Sequence, residues 1–323
     1  MIPAHPEQYA TDVDSAYAES PEDATESLSL SMLDYRFEHG RRYHACHDSA
    51  YWGPNDEQAQ SLQALAHRMY CITFDERLFL APVVNPQAIL DIGTGTGIWA
   101  IDVADEFPAA RVTGLDLSPI QPTFVPPACT FEIDDVTLPW TYDSEQFDLI
   151  YVREMFGSIP DWDAFLQQCW ASLRPGGYIE VVEHSVTPTW DDDTSLGSIY
   201  ASWEQTIAQV EQVSGRSFSI WRESAQLLEG SSFQDITTRS YKWPISGIDP
   251  RLRELGRLNQ LRLLQAVEDI FLRYLTSTMA WPYDAAQAFI ERIRSTIRDE
   301  QRHLYQPVTV VYGRKPCLNS ENL

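Results

Sequence analysis

Three glycines at alternate positions form the stretch of this sequence best suited to bind a ligand. Gly93, Gly95 and Gly97 follow a short apolar run at 88–90 and the acidic residue Asp91. Glycines in such a turn allow tight backbone bends, and they let a ligand lie against main-chain N–H groups. The stretch therefore predicts a buried strand, a ligand-binding glycine turn and the start of a helix.

The spacing of the glycines separates two kinds of nucleotide site. A dinucleotide fingerprint, G-x-G-x-x-G, places its third glycine where the helix packs on the strand. Counted from Gly93, that position holds Ile98. The turn reads G-x-G-x-G instead, and this argues against an NAD site. A purely structural turn between strand and helix is the alternative interpretation.

A further acidic residue lies at the end of the next apolar strand. Asp116 follows the run at 111–115 and comes 23 residues after Gly93. A carboxylate at this place in an α/β fold can accept hydrogen bonds from both hydroxyls of a ribose. The alternative is a loop residue that caps the turn at 117–119. The glycine turn upstream favours the ribose role.

The third predicted strand also ends in acidic residues. It covers 129–133 and is followed by Asp134 and Asp135. One of these carboxylates is expected to meet an adenine amino group, and the other to serve the turn. The sequence leaves open which residue takes which role.

Two more predicted strands end in residues suited to a second ligand. The strand at 147–152 leads into Arg153 and Glu154, and the strand at 178–183 leads into His184. His184 is the first candidate for a general base or for positioning an acceptor group. Its alternative is a histidine satisfied at a strand end. Arg153 is the second candidate, since a guanidinium holds a carboxylate well, although it can equally pair with Glu154.

Strands and helices alternate between 87 and 183, which predicts a parallel, doubly wound sheet. Ligands in such sheets bind outside the carboxyl ends of the strands. Two later strands, at 236–241 and 307–313, bring the prediction to a seven-stranded, mostly parallel sheet. A tight turn is predicted at 174–177.

The helices predicted around the sixth strand can form a substrate roof above the ligand edge. Added core or a dimer face is the alternative. A separate helix is predicted before the first strand, at 57–80. The four helices of the roof are predicted at 195–213, 221–229, 251–275 and 284–304.

The chain before the sheet divides into two parts. Residues 1–27 are acidic and lack Lys and Arg, so we expect a disordered tail. Residues 28–85 are predicted to form a helical lid, in which 35–44 is dense in aromatic, basic and His side chains. A helix end with a surface charge cluster is the alternative. The remaining units are a ligand-binding core at 86–185 and the rest of the sheet with its roof at 186–323.

Composition excludes some classes of partner. The chain has 323 residues and a formal net charge of -24, which should repel nucleic acid phosphates. Its five cysteines are scattered without a C-x-x-C, as expected for a reduced, cytoplasmic protein. The sequence shows no secretory signal, no membrane-length apolar run and no cluster with metal-ligand spacing. We therefore expect no direct nucleic acid, membrane or metal partner.

Eight segments carry a resemblance to a known family. They are EHGRRYH at 38–44, GPND at 53–56, LDIGTGTGIWAID at 90–102, GLDLSPIQP at 114–122, VPP at 125–127, FEIDD at 131–135, FDLIYVREMFGS at 147–158 and RPGGYIEVVE at 174–183. Together they resemble LaeA-like methyltransferases, a branch of the seven-stranded S-adenosylmethionine-dependent fold found in fungal secondary metabolism. The resemblance covers about 35–195 and weakens beyond. Ala128-Cys129 follows VPP where relatives often carry Asn, which affects only that loop.

The resemblance implies S-adenosyl-L-methionine as the cofactor. The contacts that it implies come from seven residues: Gly93, Gly95, Asp116, Leu117, Asp135, Tyr43 and His44. With the other strand-end residues, the cofactor-binding candidates are Tyr43, His44, Asp91, Gly93, Thr94, Gly95, Asp116, Leu117, Asp134, Asp135 and Arg153.

The resemblance also implies two kinds of role. Some relatives methylate small molecules, and others regulate secondary-metabolite gene clusters in complex with velvet-type proteins. We expect the first: a cytoplasmic enzyme that methylates a small-molecule acceptor, most simply at oxygen. The alternative is a nuclear regulator that keeps the cofactor pocket and binds a protein partner. The compact length, the short tail and the lack of a basic import segment favour the enzyme.

Overall fold

The computed structural model describes residues 35–44, 51–190, 199–247, 249–299 and 304–317. They form a large twisted sheet with helices around it, and a separate small hairpin. The predicted acidic tail lies outside the described residues. None of the helices in the described ranges has the length and apolar character needed to cross a membrane.

The strands fall in two sheets. The hairpin consists of β1 (Arg36–Glu38) and β2 (Arg41–Tyr43). The large sheet consists of β3 (Ala88–Ile92), β4 (Arg111–Asp116), β5 (Cys129–Ile133), β6 (Phe147–Arg153), β7 (Leu173–His184), β8 (Thr189–Trp190), β9 (Gln234–Pro244) and β10 (Leu304–Arg314).

The large sheet has the predicted doubly wound topology. Strands β5, β4, β3, β6 and β7 lie side by side in that order and run parallel. Strand β10 runs antiparallel between β7 and β9, and the two-residue β8 pairs with its first residues. The chain proceeds outward from β3 in one direction and from β6 in the other. The topological switch point therefore lies between β3 and β6, where ligands of such sheets bind.

The helices cover both faces of this sheet. Their bounds are α1 (Glu57–Thr73), α2 (Ile98–Glu106), α3 (Trp162–Ser172), α4 (Ile199–Ser214), α5 (Ile220–Gly230), α6 (Arg253–Arg273) and α7 (Tyr283–Ile297), with a π-helical turn at Tyr274–Thr278. Asp56 and Asp161 start α1 and α3, because each carboxylate accepts a hydrogen bond from an N–H of the first turn.

The strands next to the switch point are largely buried. All five residues of β3 are buried, as the unbroken apolar run predicts for a central parallel strand. Trp99 of α2 stacks on Tyr151 of β6 with ring centroids 3.8 Å apart. This packing fixes α2, and with it the glycine turn that precedes α2, against the sheet.

The late helices build a second apolar core. Trp203 of α4, Leu263 and Phe271 of α6, and Ile290 of α7 are all fully buried in one cluster. Phe156, just after β6, belongs to the same cluster and connects it to the ligand edge of the sheet. The late helices therefore form an added core that reaches this edge, and their role as a substrate roof stays a prediction.

Among the described residues of the predicted helical lid, only 57–73 are helical. Residues 36–43 form the β1–β2 hairpin, and α1 is the helix of that region. His39 and Gly40 both have positive φ, of 50° and 81°, as a two-residue hairpin turn requires. Arg41 then ties the hairpin to Asp56 before α1 and to Asp269 of α6.

Three predicted boundaries were wrong. Helix α7 ends at Ile297 and not near residue 304, which is the first residue of β10. Helix α1 ends at Thr73 and not near residue 80, because the chain after it is held on the sheet by Glu180. The Glu180 carboxylate accepts hydrogen bonds from the N–H groups of Leu80, at 2.8 Å, and of Ala81. The predicted turn at 174–177 is part of β7, whose pairing with β6 shifts register there.

Candidate active site

A cleft opens beyond the carboxyl ends of β3, β4, β5 and β6. It holds about 1150 Å³ of empty space, with the open solvent at its mouth included. The predicted cofactor residues that line it are Gly93, Thr94, Gly95, Asp116, Leu117, Asp134, Asp135 and Arg153. Three other candidates, Tyr43, His44 and Asp91, lie behind its walls.

The glycine turn has the conformation that its sequence predicts. Gly93, Gly95 and Gly97 have φ of 69°, 57° and 77°, a region that other residues enter only with strain. The N–H groups of Gly93 and Thr94 donate to the carbonyl of Leu115 in β4, at 2.9 and 3.0 Å. The turn is thereby attached to the neighbouring strand. A side chain at Gly95 would also run into Gln63 of α1.

Asp116 holds the floor of the cleft together. Its Oδ2 accepts from the N–H of Gly95 at 2.8 Å, and its Oδ1 accepts from the N–H of Ser118 at 2.9 Å. Burial raises the pKa of this carboxyl, and the two N–H donors oppose that rise. A carboxylate has about four lone-pair sites, so both oxygens can still accept from ribose hydroxyls.

The two acids after β5 have different surroundings. Asp135 is buried, and its Oδ1 accepts from the N–H and the hydroxyl of Thr137 at 2.9 and 2.6 Å. Asp134 is exposed and accepts from the N–H of Asp135 at 2.8 Å. Both line the cleft. Their roles toward an adenine amino group stay predictions.

This set of groups fits S-adenosylmethionine. Asp116 offers carboxylate oxygens for a ribose, and the acids after β5 offer oxygens for an amino group. The side chains of Leu117 and Val136 also line the cleft and can give apolar contact for a purine ring. A glycine turn at the start of a helix lets the cofactor approach the main chain.

Glu154 lines the cleft with an unusual backbone conformation and two close side-chain partners. Its φ of 55° is unusual for a residue with a side chain and marks strain of the kind found at functional sites. Its Oε1 lies 3.5 Å from Arg262 Nη2 and 3.4 Å from His184 Nε2. Despite burial, these positive or polar neighbours hold the pKa of the Glu154 carboxyl well below its ordinary range.

Arg153 points its guanidinium along the wall of the cleft. It lies over the rings of Tyr70 and Tyr151, 5.1 and 5.7 Å from their centroids. Its Nη1 lies 3.4 Å from Nδ1 of His67. Both predicted roles of Arg153, toward cofactor or acceptor, are compatible with its place in the wall, and both stay predictions.

His184 lies behind Glu154 and does not line the cleft. It is fully buried, and its Nδ1–H donates to the carbonyl of Ser185 at 2.9 Å. Its Nε2 contacts Arg262 and lies 3.4 Å from Oε1 of Glu154. The predicted catalytic role of His184 stays a prediction.

The three remaining candidates support the cleft from behind. Tyr43 is buried beneath the guanidinium of Arg273, 4.7 Å from its ring centroid. His44 is buried and its Nε2 lies 3.1 Å from the carbonyl of Tyr51, which lines the cleft. Asp91, just before the glycine turn, accepts a hydrogen bond from the hydroxyl of Thr94.

Several residues of the cleft were missed by the sequence reasoning. Gln63 of α1 accepts from the N–H of Thr96 at 3.0 Å, and Gln121 donates to the carbonyl of Gly95 at 2.7 Å. Arg262 of α6 meets Glu154 from the far side. Gln63 alone left a signal, since it is a polar residue beside the apolar face of a predicted helix.

Comparison with known proteins identifies the family. Residues 65–237 match the family model described as a methyltransferase domain. The chain is 35% identical over 317 residues to "Methyltransferase pytC" of Aspergillus terreus, covering 96% of this chain and 97% of the relative. It is 32% identical to "Secondary metabolism regulator LAE1" of Cochliobolus heterostrophus, covering 86% and 94% of the two chains. It is 30% identical to "Protein-methionine methyltransferase laeA" of Emericella nidulans, covering 86% and 76%.

The chain belongs to the methyltransferase family, and its nucleotide site is that of an S-adenosylmethionine-dependent enzyme. This confirms the fold, the cofactor and the class of reaction predicted from the glycine turn and the resemblance. The relatives include fungal proteins named as methyltransferases and one named as a secondary metabolism regulator.

Proposed function

We propose that this protein transfers the methyl group of S-adenosylmethionine to an oxygen atom of a small organic acceptor made in fungal secondary metabolism, in the cytoplasm. One observation carries the proposal. The cleft continues past the glycine turn into a wall of aromatic and apolar side chains. That wall consists of Tyr51, Trp52, Met155, Phe156 and Ile159. Such a wall suits an apolar organic acceptor better than a flexible peptide segment.

Bound S-adenosylmethionine supplies a methyl group already activated by the sulfonium. The chain has to align the acceptor oxygen with that methyl group and keep water out, effects that reach ~7–11 kcal/mol in well-oriented reactions. Trp52 is fixed for this purpose, because its Nε1–H donates to the carbonyl of Phe156 at 3.1 Å and its ring stacks on Phe156.

The state of the strand-end groups supports an acidic oxygen as the acceptor. Glu154 has a depressed pKa, so it remains ionised and is a weak base. The imidazole of His184 is occupied on both nitrogens. A carboxylate, phenolate or enolate loses its proton before it arrives and needs no strong base. The ionised Glu154 instead favours the positive charge at the sulfonium.

The comparisons support the enzymatic role in one respect. The relative named methyltransferase pytC matches over 97% of its own length, against 76% for laeA of Emericella nidulans. The relative named as a regulator supports a second candidate function, the regulation of secondary metabolism. In that role the chain would be nuclear and would bind a protein partner of the velvet type through its outer surface.

The decisive experiment follows the methyl group. The purified protein is incubated with S-adenosylmethionine that carries a trideuterated methyl group, together with an extract from cells that lack the protein. We expect the label in one small organic compound, released by mild alkaline hydrolysis if the acceptor is a carboxylate and retained if it is a phenol or enol. An Asp116→Ala variant serves as the control and should transfer no label.

The same experiment separates the two candidate functions. Label found only in protein would contradict a small-molecule acceptor and favour the regulatory role. Binding of the cofactor with label on carbon or nitrogen of a small compound would leave the enzyme in place and correct the methylated atom.

A further inference from the structure

A second chamber lies beside the aromatic wall of the cleft. It holds about 800 Å³ of empty space with its mouth included. Tyr51 and Trp52 line both the chamber and the cleft, so the two cavities are one layer of side chains apart. The other residues that line the chamber are Ser214, Arg216, Arg273, Tyr274, Ser277 and Thr278.

The side chains that line the chamber carry a net positive charge, unlike the protein as a whole. They include two guanidinium groups and five hydroxyl groups, and none of the described residues that line it is acidic, although Glu38 contacts Arg273 and Ser277. The protein carries a formal net charge of -24. Two arginines that line one cavity in so acidic a chain, among hydroxyl donors, form an environment suited to a carboxylate or phosphate.

The two arginines are positioned from opposite sides. Arg216, after α4, donates to the carbonyl of Ser158, a residue that lines the cofactor cleft. Arg273, the last residue of α6, donates to the carbonyl of Tyr51 at 3.2 Å and lies 3.5 Å from Glu38 of the hairpin. Each guanidinium is therefore attached to a loop that also forms the cleft.

The π-helical turn after α6 presents the hydroxyl groups. Tyr274, Ser277 and Thr278 all belong to this five-residue turn. Turns of this kind are rare and are frequent at functional sites. Burial raises the pKa of Tyr274 to about 12, although the charge of Arg216 lowers it. The phenol is therefore a neutral hydrogen-bond donor at neutral pH.

We propose that this chamber binds the anionic end of the acceptor, a carboxylate or a phosphate, while the rest of the acceptor reaches the cofactor cleft past Tyr51 and Trp52. The proposal rests on the proposed function, because it names the class of acceptor. It adds a specificity-determining pair, Arg216 and Arg273, that touches the acceptor away from the methylated atom.

Titration calorimetry with small probes tests the chamber directly. The full-length protein, saturated with S-adenosylhomocysteine, is titrated with benzoate, with its neutral analogue benzamide and with inorganic phosphate. We expect benzoate to bind at least about tenfold more tightly than benzamide, the difference made by one charge-assisted contact. Phosphate that binds more tightly than benzoate would assign the chamber to a phosphorylated acceptor, and the reverse would assign it to a carboxylate.

Two variants locate the binding. Arg216→Gln should lower the affinity for benzoate by about tenfold or more. It should leave the affinity for S-adenosylhomocysteine within about twofold of the wild-type value. Thr278→Glu places a negative charge at the rim of the chamber and should abolish benzoate binding. The protein should still fold, because residue 278 is exposed. The matched control is Ser295→Glu, at an exposed position of α7 that does not line the chamber, and it should change neither affinity.

Two results would overturn the proposal. One is equal affinity for benzoate and benzamide, or no affinity for any anion. The other is benzoate binding that Thr278→Glu leaves unchanged. If the wild-type protein does not bind S-adenosylhomocysteine, that result would count against the proposed function and not against the chamber. Benzoate titrated into the protein without S-adenosylhomocysteine would then still test the chamber.

Discussion

The two halves of the cleft are built in different ways. The cofactor half, defined by the glycine turn with Asp116, Asp134 and Asp135, comes from three consecutive strand ends. The acceptor half, defined by Trp52, Glu154, Phe156 and Arg262, brings together segments that are up to 210 positions apart in the chain (262 minus 52). The first half depends on local backbone conformation, and the second depends on how α1, α6 and the sheet pack.

This difference predicts that single changes act separately on the two halves. Changes in the cofactor half should alter the affinity for S-adenosylmethionine. Changes in the acceptor half should alter turnover and leave that affinity nearly intact. Four experiments test this division, in order from the largest expected effect to the smallest.

Replacing Asp116 should have the largest effect. Asp116→Ala removes the ribose acceptor and the bonds to the N–H groups of Gly95 and Ser118. We expect the dissociation constant for S-adenosylmethionine to rise by about 100-fold, roughly 2.7 kcal/mol, in titration calorimetry. Asp105→Ala, an exposed carboxylate of α2, is the matched control. Wild-type affinity in the Asp116 variant would remove the ribose assignment.

Replacing Arg262 tests the acceptor half. Arg262→Gln leaves Glu154 with a weaker partner, so the pKa of Glu154 should rise toward its ordinary value. We expect kcat to fall by about 10- to 30-fold, with the cofactor affinity within about threefold, and the acid limb of the pH profile to move to higher pH. Arg262→Lys should restore part of the lost kcat and part of the shift in the pH profile. Equal losses in kcat and in cofactor affinity would mean that the two halves are not separable.

Asp91 makes the cofactor half sensitive to pH. Burial raises the pKa of Asp91 to about 7 from an ordinary value of 3.8, so the folded protein holds a proton that the unfolded chain releases. The contribution of Asp91 to the free energy of unfolding should therefore be largest below pH 3.8 and fall as pH rises toward about 7, by roughly 1 kcal/mol per pH unit. Urea unfolding of wild type and Asp91→Asn across this range measures it. Parallel curves for the two proteins would contradict the assignment.

Replacing Gln63 should have the smallest effect. Its Oε1 accepts from the N–H of Thr96, so Gln63→Ala loosens the glycine turn from α1 without touching a strand end. We expect the dissociation constant for S-adenosylmethionine to rise by about fivefold, roughly 1 kcal/mol, with kcat unchanged. Gln58→Ala, at an exposed position of the same helix, controls for helix propensity. A change in kcat alone would place Gln63 in the acceptor half.

The sequence by itself determined the central sheet and the cofactor half. Short apolar runs located β3, β4, β5 and β6 along the chain, and the left-handed positions of the turn require glycine at 93, 95 and 97. Acids at strand ends were readable because parallel strands bring their carboxyl ends to one edge. Each of these features is set by residues that are neighbours in the chain.

Only the tertiary structure decided the acceptor half. His184 and Arg153 end adjacent strands, yet one is buried behind Glu154 and the other lies along the wall. Arg262 could not be found from the sequence, because no local pattern relates a residue of α6 to the end of β6. A hairpin stands where a helix was predicted, and the bond that ties it to the fold, from Arg41 to Asp269, is a long-range contact. Local conformation follows from neighbouring residues, whereas the partners of a side chain follow from how distant segments pack.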